Sequence, residues 1–301
     1  MEPRQLLAAD VYFGAVYYES ASGDDSQPNV IQVTYVGGAE GTQLASLTIS
    51  GDKNRNGQLE AGDVFFDTEP GGYGAFNSIG LSIVEPEGFD IIGYTVHDGG
   101  TDITFHFSGF DAGEKLVFTI DVDEVQFADH SVDPPDIDVN SVVEGAEFQR
   151  SWLTGTFVAA DYEDLTLEAR FWDFYDANFA AAAGNAGTTL ELPPDRYSEQ
   201  QDFTDMTAGA VVHAPQVALP SSISGYVRAH MGPNCNDPED QIPLEGVRMD
   251  LFNDQDELIA TTYTDENGFY KFDDLPPGVY RVFEHQPQEW FDGGEHVGTV
   301  G

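Results

Sequence analysis

Residues 91–107 read IIGYTVHDGGTDITFHF, two alternating runs on either side of a glycine pair. Gly99 and Gly100 permit the positive φ that tight turns require, and Ile103, Phe105 and Phe107 fall on one face of a period-two strand. The stretch therefore predicts an antiparallel hairpin closed at Asp98, Gly99 and Gly100. Downstream, KLVFTIDVDEV (115–125) places Leu116, Phe118, Ile120 and Val122 on one face, and LTLEARF (165–171) alternates in the same way. Many short strands with short turns, and hardly a helical period among them, predict an all-β chain whose residues 29–175 form a β-sandwich of antiparallel sheets.

The text changes character at Asp176. DANFAAAAGNAG (176–187) predicts one short helix capped by Asp176 and stopped at Gly184. The polar, proline-bearing residues that follow complete a linker or extension over 176–221. From Ser222 a second β module begins. Its strand candidates are ISGYV, GVRMDLFN, LIATTYT, GFYKF and VYRVFEHQP, separated by DQDE, DENG and DLPPG.

Composition narrows the partners. Fifty-four acidic against 11 basic residues give a formal net charge of −43, which repels nucleic acid and anionic membranes and attracts cations. Divalent-metal binding and adaptation to high salt both accommodate such a charge. A hydrophobic fraction of 41% excludes a disordered acidic tail. The single cysteine, Cys235, excludes an internal disulfide framework. No stretch reaches transmembrane length, so no membrane insertion is expected.

A cation has an obvious place to go. In GDKNRNGQLEAGD (51–63), oxygen-bearing residues recur with the spacing of an EF-hand loop. Asp52, Asn54 and Asn56 are the side-chain ligands, Gln58 offers its backbone carbonyl, Glu60 binds directly or through water, and Asp63 closes the loop. Leu59 is expected to anchor it. The flanks LASLTIS and VFFDTE are strand-like, so the loop joins strands rather than helices, which a hard cation tolerates because it needs only six to eight oxygens at short range. Three carboxylates and a short closing aspartate imply a calcium affinity of roughly 10⁻⁵ to 10⁻³ M. The competing reading is an Asn/Gly-rich surface turn. For Asp121, Asp123 and Glu124, a solvated sheet face is the default expectation and accessory metal binding the minority one; DPPDID (133–138) reads as a rigid polar loop.

Two resemblances add to this. MEPRQLLAAD (1–10) resembles the LEPR-XLL motif at the head of large bacterial surface and secreted proteins, with Met1 replacing the leucine. SGYV, GVRMDLFNDQDELIATTYTDENGFYKFDDLPPGVYRVFEHQP and FDGGEHVGTVG (222–301) resemble an SdrD B-like domain, a relative of the Cna B-type and transthyretin-like sandwiches. The resemblance implies a smaller β-sandwich, export and a modular architecture. It also implies a calcium loop after GYV, where Asn234, Asn236, Asp237, Glu239 and Asp240 are able to rebuild a site but Pro238 and Gln241 stand where the family has acids. TDENG reads as a hairpin turn. Arg228 stands in the first strand where some Cna B-type modules use a crosslinking lysine, so no isopeptide bond is expected. The chain stops where the family continues to a last strand, and the module is expected to lack it.

Enzyme motifs are missing from the text: it holds no HExxH, no GxSxG and no glycine-rich phosphate loop. The reading is a non-enzymatic extracellular or cell-surface protein, calcium-stabilised, serving as scaffold, spacer or adhesion module toward cell-surface glycans or matrix proteins. The rivals are a carbohydrate-binding module, for which Trp172, Phe174 and Tyr175 supply aromatics, and part of a secreted polysaccharide-active enzyme using paired carboxylates.

Overall fold

The computed structural model describes residues 9–19, 29–74, 78–86, 88–141, 143, 145–173, 207–230 and 241–290. The chain divides into two compact units, residues 8–217 and a second built on 218–301. Nearly all of the described regular structure is β, as the alternation predicts.

The strands of the first unit are β1 Asp10–Tyr18, β2 Asn29–Gly37, β3 Gln43–Ser50, β4 Val64–Asp67, β5 Ser82–Pro86, β6 Asp90–Val96, β7 Asp102–Ser108, β8 Lys115–Asp129 and β9 Asp136–Asn140. After the one-turn helix α1 Gly145–Phe148 come β10 Trp152–Val158, β11 Leu165–Arg170, β12 Trp172–Asp173 and β13 Thr207–Pro215. One sheet runs β12-β13-β1-β2-β8-β4, with β5 and β9 also on β8; the other runs β11-β10-β3-β7-β6. The expected hairpin is present: β6 and β7 pair antiparallel from Asp90↔Ser108 to Val96↔Ile103.

The inward faces of the two sheets meet in one apolar core. Phe105 of β7 lies 5.0 Å from Phe118 of β8, ring centre to ring centre. Phe13 of β1 meets Phe157 of β10 edge-on at 5.3 Å. Gly155 makes that contact possible, because a Cβ there would sit 2.6 Å from the Phe13 ring. Ile103, Phe105, Leu116, Phe118, Ile120 and Val122, all assigned inward by their alternation, are buried.

Three segments differ from expectation. β1 precedes residue 29 and pairs with β2. β13 falls inside the supposed 176–221 extension, yet pairs with β1 along its length, from Asp10↔Pro215 to Tyr18↔Thr207. Its text, TAGAVVHAP, is rich in small residues of low strand propensity; Ala208 and Ala210 are buried, and pairing overrides propensity. The DPPDID text runs into β9 instead of staying a loop. The expected helix at 176–184 and residues 1–8 of the head motif at 1–10 lie outside the described residues.

The second unit holds β14 Ser221–Tyr226, β15 Arg228–His230, β16 Gln241–Pro243, β17 Arg248–Phe252, β18 Leu258–Tyr263, β19 Phe269–Leu275 and β20 Arg281–Glu284. Its sheets are β14-β19, β15-β16 and β18-β17-β20, around Val227, Val247, Met249, Leu251, Phe272 and Leu275. The DQDE text closes the β17/β18 hairpin, where Asn253 Oδ1 accepts the amides of Gln255 and Glu257 at 3.0 and 2.9 Å. TDENG is not a hairpin turn. β18 pairs with β17 and β19 with β14, so the turn carries the chain from one sheet to another, with Asp265 Oδ1 accepting the Asn267 and Phe269 amides.

Asp250 ties three strands of this unit. It is 4% exposed and accepts from Thr261 Oγ1 at 2.6 Å, Arg248 Nε at 3.0 Å and His285 Nε2 at 2.6 Å. The Thr261 bond, followed by the Arg248 and His285 bonds, holds its carboxyl well below the usual range despite burial. Residues 231–240, which carry Cys235 and Asn234, Asn236, Asp237, Glu239 and Asp240, the residues considered for a B-like calcium loop, and 291–301, which bear on the last strand, lie outside the described residues.

Candidate metal loop

Residues 51–63 leave β3 in one sheet and enter β4 in the other, so the loop bridges the two layers at one end of the sandwich. Its base is closed by backbone bonds from Gly51 N to Thr101 O and from Val64 N to Gly51 O. Arg55 and Gly57 adopt positive φ, 58° and 73°, which curls the chain back over the two aspartates. Asp52 Oδ2 accepts the Gly57 amide at 2.7 Å, and Asp52 Oδ1 the Asn56 amide at 3.2 Å. Asp63 accepts the Lys53 amide at 3.0 Å and the Glu60 amide at 2.9 Å. Asn54 Nδ2 donates to Glu60 Oε2 at 2.6 Å across the loop, while Asn56 Oδ1 accepts the Gln58 amide at 2.8 Å.

The structure thus brings Asp52 with Asp63 and Asn54 with Glu60, and leaves Asn56 and Gln58 exposed at the tip. Asp52 and Asp63 are 6% and 3% exposed. Burial pushes the Asp63 carboxyl up, and the neighbouring Asp52 adds to this against the two amide bonds. A buried anion pair of this kind favours a bound cation. Among the described residues no three His, Cys, Asp or Glu side chains gather at one point, so a complete shell here draws on amide and carbonyl oxygens as well. An all-oxygen donor set of that kind suits a hard cation such as calcium and does not suit zinc.

Leu59 does not anchor the loop in the core; it is half-buried, and its carbonyl accepts from His130 Nε2 at 2.7 Å. The anchor is aromatic and cationic. The Arg55 guanidinium stacks 3.6 Å above the Trp152 ring, with Arg170 4.1 Å from the same ring. Arg55 also forks onto Glu168 at 2.9 and 3.3 Å, and that bond holds the Glu168 carboxyl below its usual range. Trp152 Nε1 donates to the Lys53 carbonyl at 3.3 Å. Lys53 Nζ donates to the Glu147 carbonyl. Trp152 and Arg170 face each other on β10 and β11, about a hundred residues downstream of the loop, and no local signal in the sequence links them to it.

The acidic run on β8 is not a solvated sheet face. Asp121 and Asp123 are 3% and 0% exposed, because chain between β4 and β5 covers them. Tyr73 packs edge-on against Phe65 at 5.5 Å, and Asp121 N donates to Ile79 O at 3.1 Å. Of the aromatics considered for carbohydrate binding, Trp172 is 51% exposed; Phe174 and Tyr175 lie outside the described residues.

These features define an all-β protein of two sandwich units with a metal-loop candidate in the first. Within the second, residues 222–299 match the SdrD B-like domain. Serine-aspartate repeat-containing protein C of Staphylococcus aureus strain MRSA252 is 31% identical over 121 residues, covering 38% of this chain and 13% of that protein. The protein of the same name in strain Newman matches equally. The chain therefore spans about 13% of the length of these curated relatives. Among solved structures, the T6 backbone pilin of Streptococcus pyogenes aligns over 95% of this chain and 50% of its own at 12% identity and a TM-score of 0.22. The major pilin subunit BcpA of Bacillus cereus aligns over 92% and 61% at 11% identity and a TM-score of 0.24. Alignments at such scores define neither a shared fold nor a function. Among the described residues no helix is long and apolar enough to cross a membrane.

Proposed function

We propose that this chain is a non-enzymatic extracellular or cell-surface protein whose β units act as scaffold, spacer or adhesion module, with calcium at residues 52–63 stiffening the first unit. The observation that carries the reading is the match of residues 222–299 to the SdrD B-like domain. Relatives named for serine-aspartate repeats support a modular setting. Cell-surface glycans and matrix proteins are the partner classes this reading names. The calcium part is supported by the loop itself: Asp52 and Asp63 are buried, the glycine-turned tip presents amide oxygens, and the site sits where it clamps one sheet to the other. Fractionation of the native organism is the test. The protein is expected in the surface or secreted fraction, and its confinement to the cytoplasm would refute the proposal.

The anchor behind the loop gives a second expectation. Trp152→Ala removes the ring on which Arg55 stacks and the donor to the Lys53 carbonyl, but touches no ligand. Order in the empty loop is then lost, and the binding step has to supply it. A contact of this kind contributes roughly 0.5–1 kcal/mol at an exposed site, so calcium affinity by calorimetry is expected to fall about two- to five-fold. An unchanged affinity would show that the stack plays no part in holding the loop.

A further inference from the structure

On the outer face of β4 and β8, away from the sandwich core, three carboxylates share one buried surface. Register places Asp67 directly opposite Asp121, and Phe65 opposite Asp123, so Asp67, Asp121 and Asp123 all project to the same side. Asp67 and Asp123 are 0% exposed and Asp121 is 3% exposed. Like charges directly opposed on a sheet repel, and burial removes the water that would screen them.

Gly74 shows where two of the oxygens aim. A Cβ on this residue would lie 1.7 Å from Asp123 Oδ2 and 2.4 Å from Asp67 Oδ2, so both oxygens converge on the same point beside the covering chain. Asp67 Oδ1 accepts the Glu69 amide at 3.3 Å, whereas Asp67 Oδ2 is buried with no hydrogen-bond partner. The Ser78 hydroxyl, on a residue only 4% exposed, approaches the Asp67 carboxyl but likewise makes no hydrogen bond of good geometry. Asp67 Oδ2 and Ser78 Oγ, neighbouring buried oxygens that each lack a hydrogen bond of good geometry, are a costly arrangement for a protein to keep unless something bridges them.

Asp98 frames the pocket from the β6/β7 turn. Its carboxylate accepts the amides of Thr68 at 2.9 Å, Glu69 at 3.3 Å and Tyr73 at 2.8 Å. Burial acts to raise the Asp98 carboxyl, but these backbone bonds outweigh it and keep the group ionised. Asp98 thereby pins the covering chain and adds a further negative charge.

We propose that Asp67, Asp121 and Asp123, with the Ser78 hydroxyl, form a second site for a hard divalent cation, separate from the 52–63 loop. Among the described residues no three such side chains are gathered at one point, so binding requires these carboxylates to close on the ion. Carboxylate and hydroxyl oxygens on a firm sheet fit calcium, whose coordination tolerates irregular oxygen cages. The bound ion would fasten the chain between β4 and β5 onto the long strand β8.

Calcium is the probe, titrated by equilibrium dialysis into the full chain after chelator treatment, with cooperative melting in chelator as the check that each variant is folded. Asp67→Asn, which keeps shape and removes charge, is expected to bind one calcium fewer than its parent, whether that parent is wild type or Asp52→Ala; Asp123→Asn is expected to do the same. Equal calcium uptake by wild type and both folded variants would overturn the site and leave a shared proton as the means of neutralising the cluster. Loss of an ion in Asp67→Asn but none in Asp52→Ala would support this site while removing the loop from the proposed function. A measurement free of any change at the cluster uses peptide-resolved hydrogen exchange on Asp52→Ala. Calcium is expected to slow exchange in β8 around Asp121 and Asp123, and no slowing there would overturn the inference.

Discussion

Millimolar calcium is expected to raise the melting temperature of the first unit, and Asp52→Ala to remove the loop's share of that rise. An ion that binds only the folded loop contributes RT ln(1 + [L]/Kd), which is on the order of 1–3 kcal/mol for the affinity implied by the donor set. For a unit of this size each kcal/mol shifts the midpoint by about 2–4 °C, so the loop's share is on the order of 2–12 °C. The structural reason for a global effect is the loop's position. It leaves β3 in the five-stranded sheet and enters β4 in the eight-stranded one, so an ion held between Asp52 and Asp63 resists separation of the layers rather than tightening one turn. Asp52 is the decisive residue because its two oxygens already order the amides of Asn56 and Gly57. The check is thermal denaturation with and without a chelator. A calcium response of equal size in Asp52→Ala and wild type would sink the loop assignment.

Phe105→Ala is expected to have the largest effect on the first unit, about 3–5 kcal/mol of destabilisation. The residue is fully buried in β7, and its ring touches both layers. It lies 5.0 Å from Phe118 on the facing sheet and 6.1 Å from Phe107 on its own strand, centre to centre. Truncation removes the transfer free energy of the ring and leaves a cavity between sheets whose strands are fixed by their ladders and cannot close over it. The expected fall in melting temperature is on the order of 10 °C. Phe127→Ala, at 51% exposure near the end of β8, is the control and should stay within about 0.5 kcal/mol of wild type. Similar losses for the two variants would contradict the assigned core.

The two-residue period was enough to place the β6/β7 hairpin, the inward residues of β7 and β8, the strand β11, and the all-β character, because alternation states directly which side chains share a face. That the chain turns at Asn253 and Asp265 was legible for the same local reason, since both bond to amides two and four residues away; that the TDENG turn passes between sheets instead of closing a hairpin was not, because that depends on which strands β18 and β19 pair with. Spacing likewise singled out Asp52, Asn54, Asn56, Gln58, Glu60 and Asp63, and the structure curls that stretch over two buried carboxylates. What alternation leaves open is the identity of the layer that covers a face. Asp121 and Asp123 alternate opposite an apolar face and so read as solvated, yet Tyr73, Gly74 and Ser78 from a distant stretch of chain bury them beside Asp67. The strand Thr207–Pro215 was hidden in small residues that favour no strand by themselves; only the partner Asp10–Tyr18 makes it one. The Arg55–Trp152–Arg170 stack joins residues about a hundred positions apart, and such pairings depend on where the backbone returns. The sequence by itself determined which local elements form and which residues point the same way, since both follow from interactions spanning a few residues. Only the tertiary structure decided what each face meets, because burial of a carboxylate or an arginine depends on chain packed against it from far along the sequence.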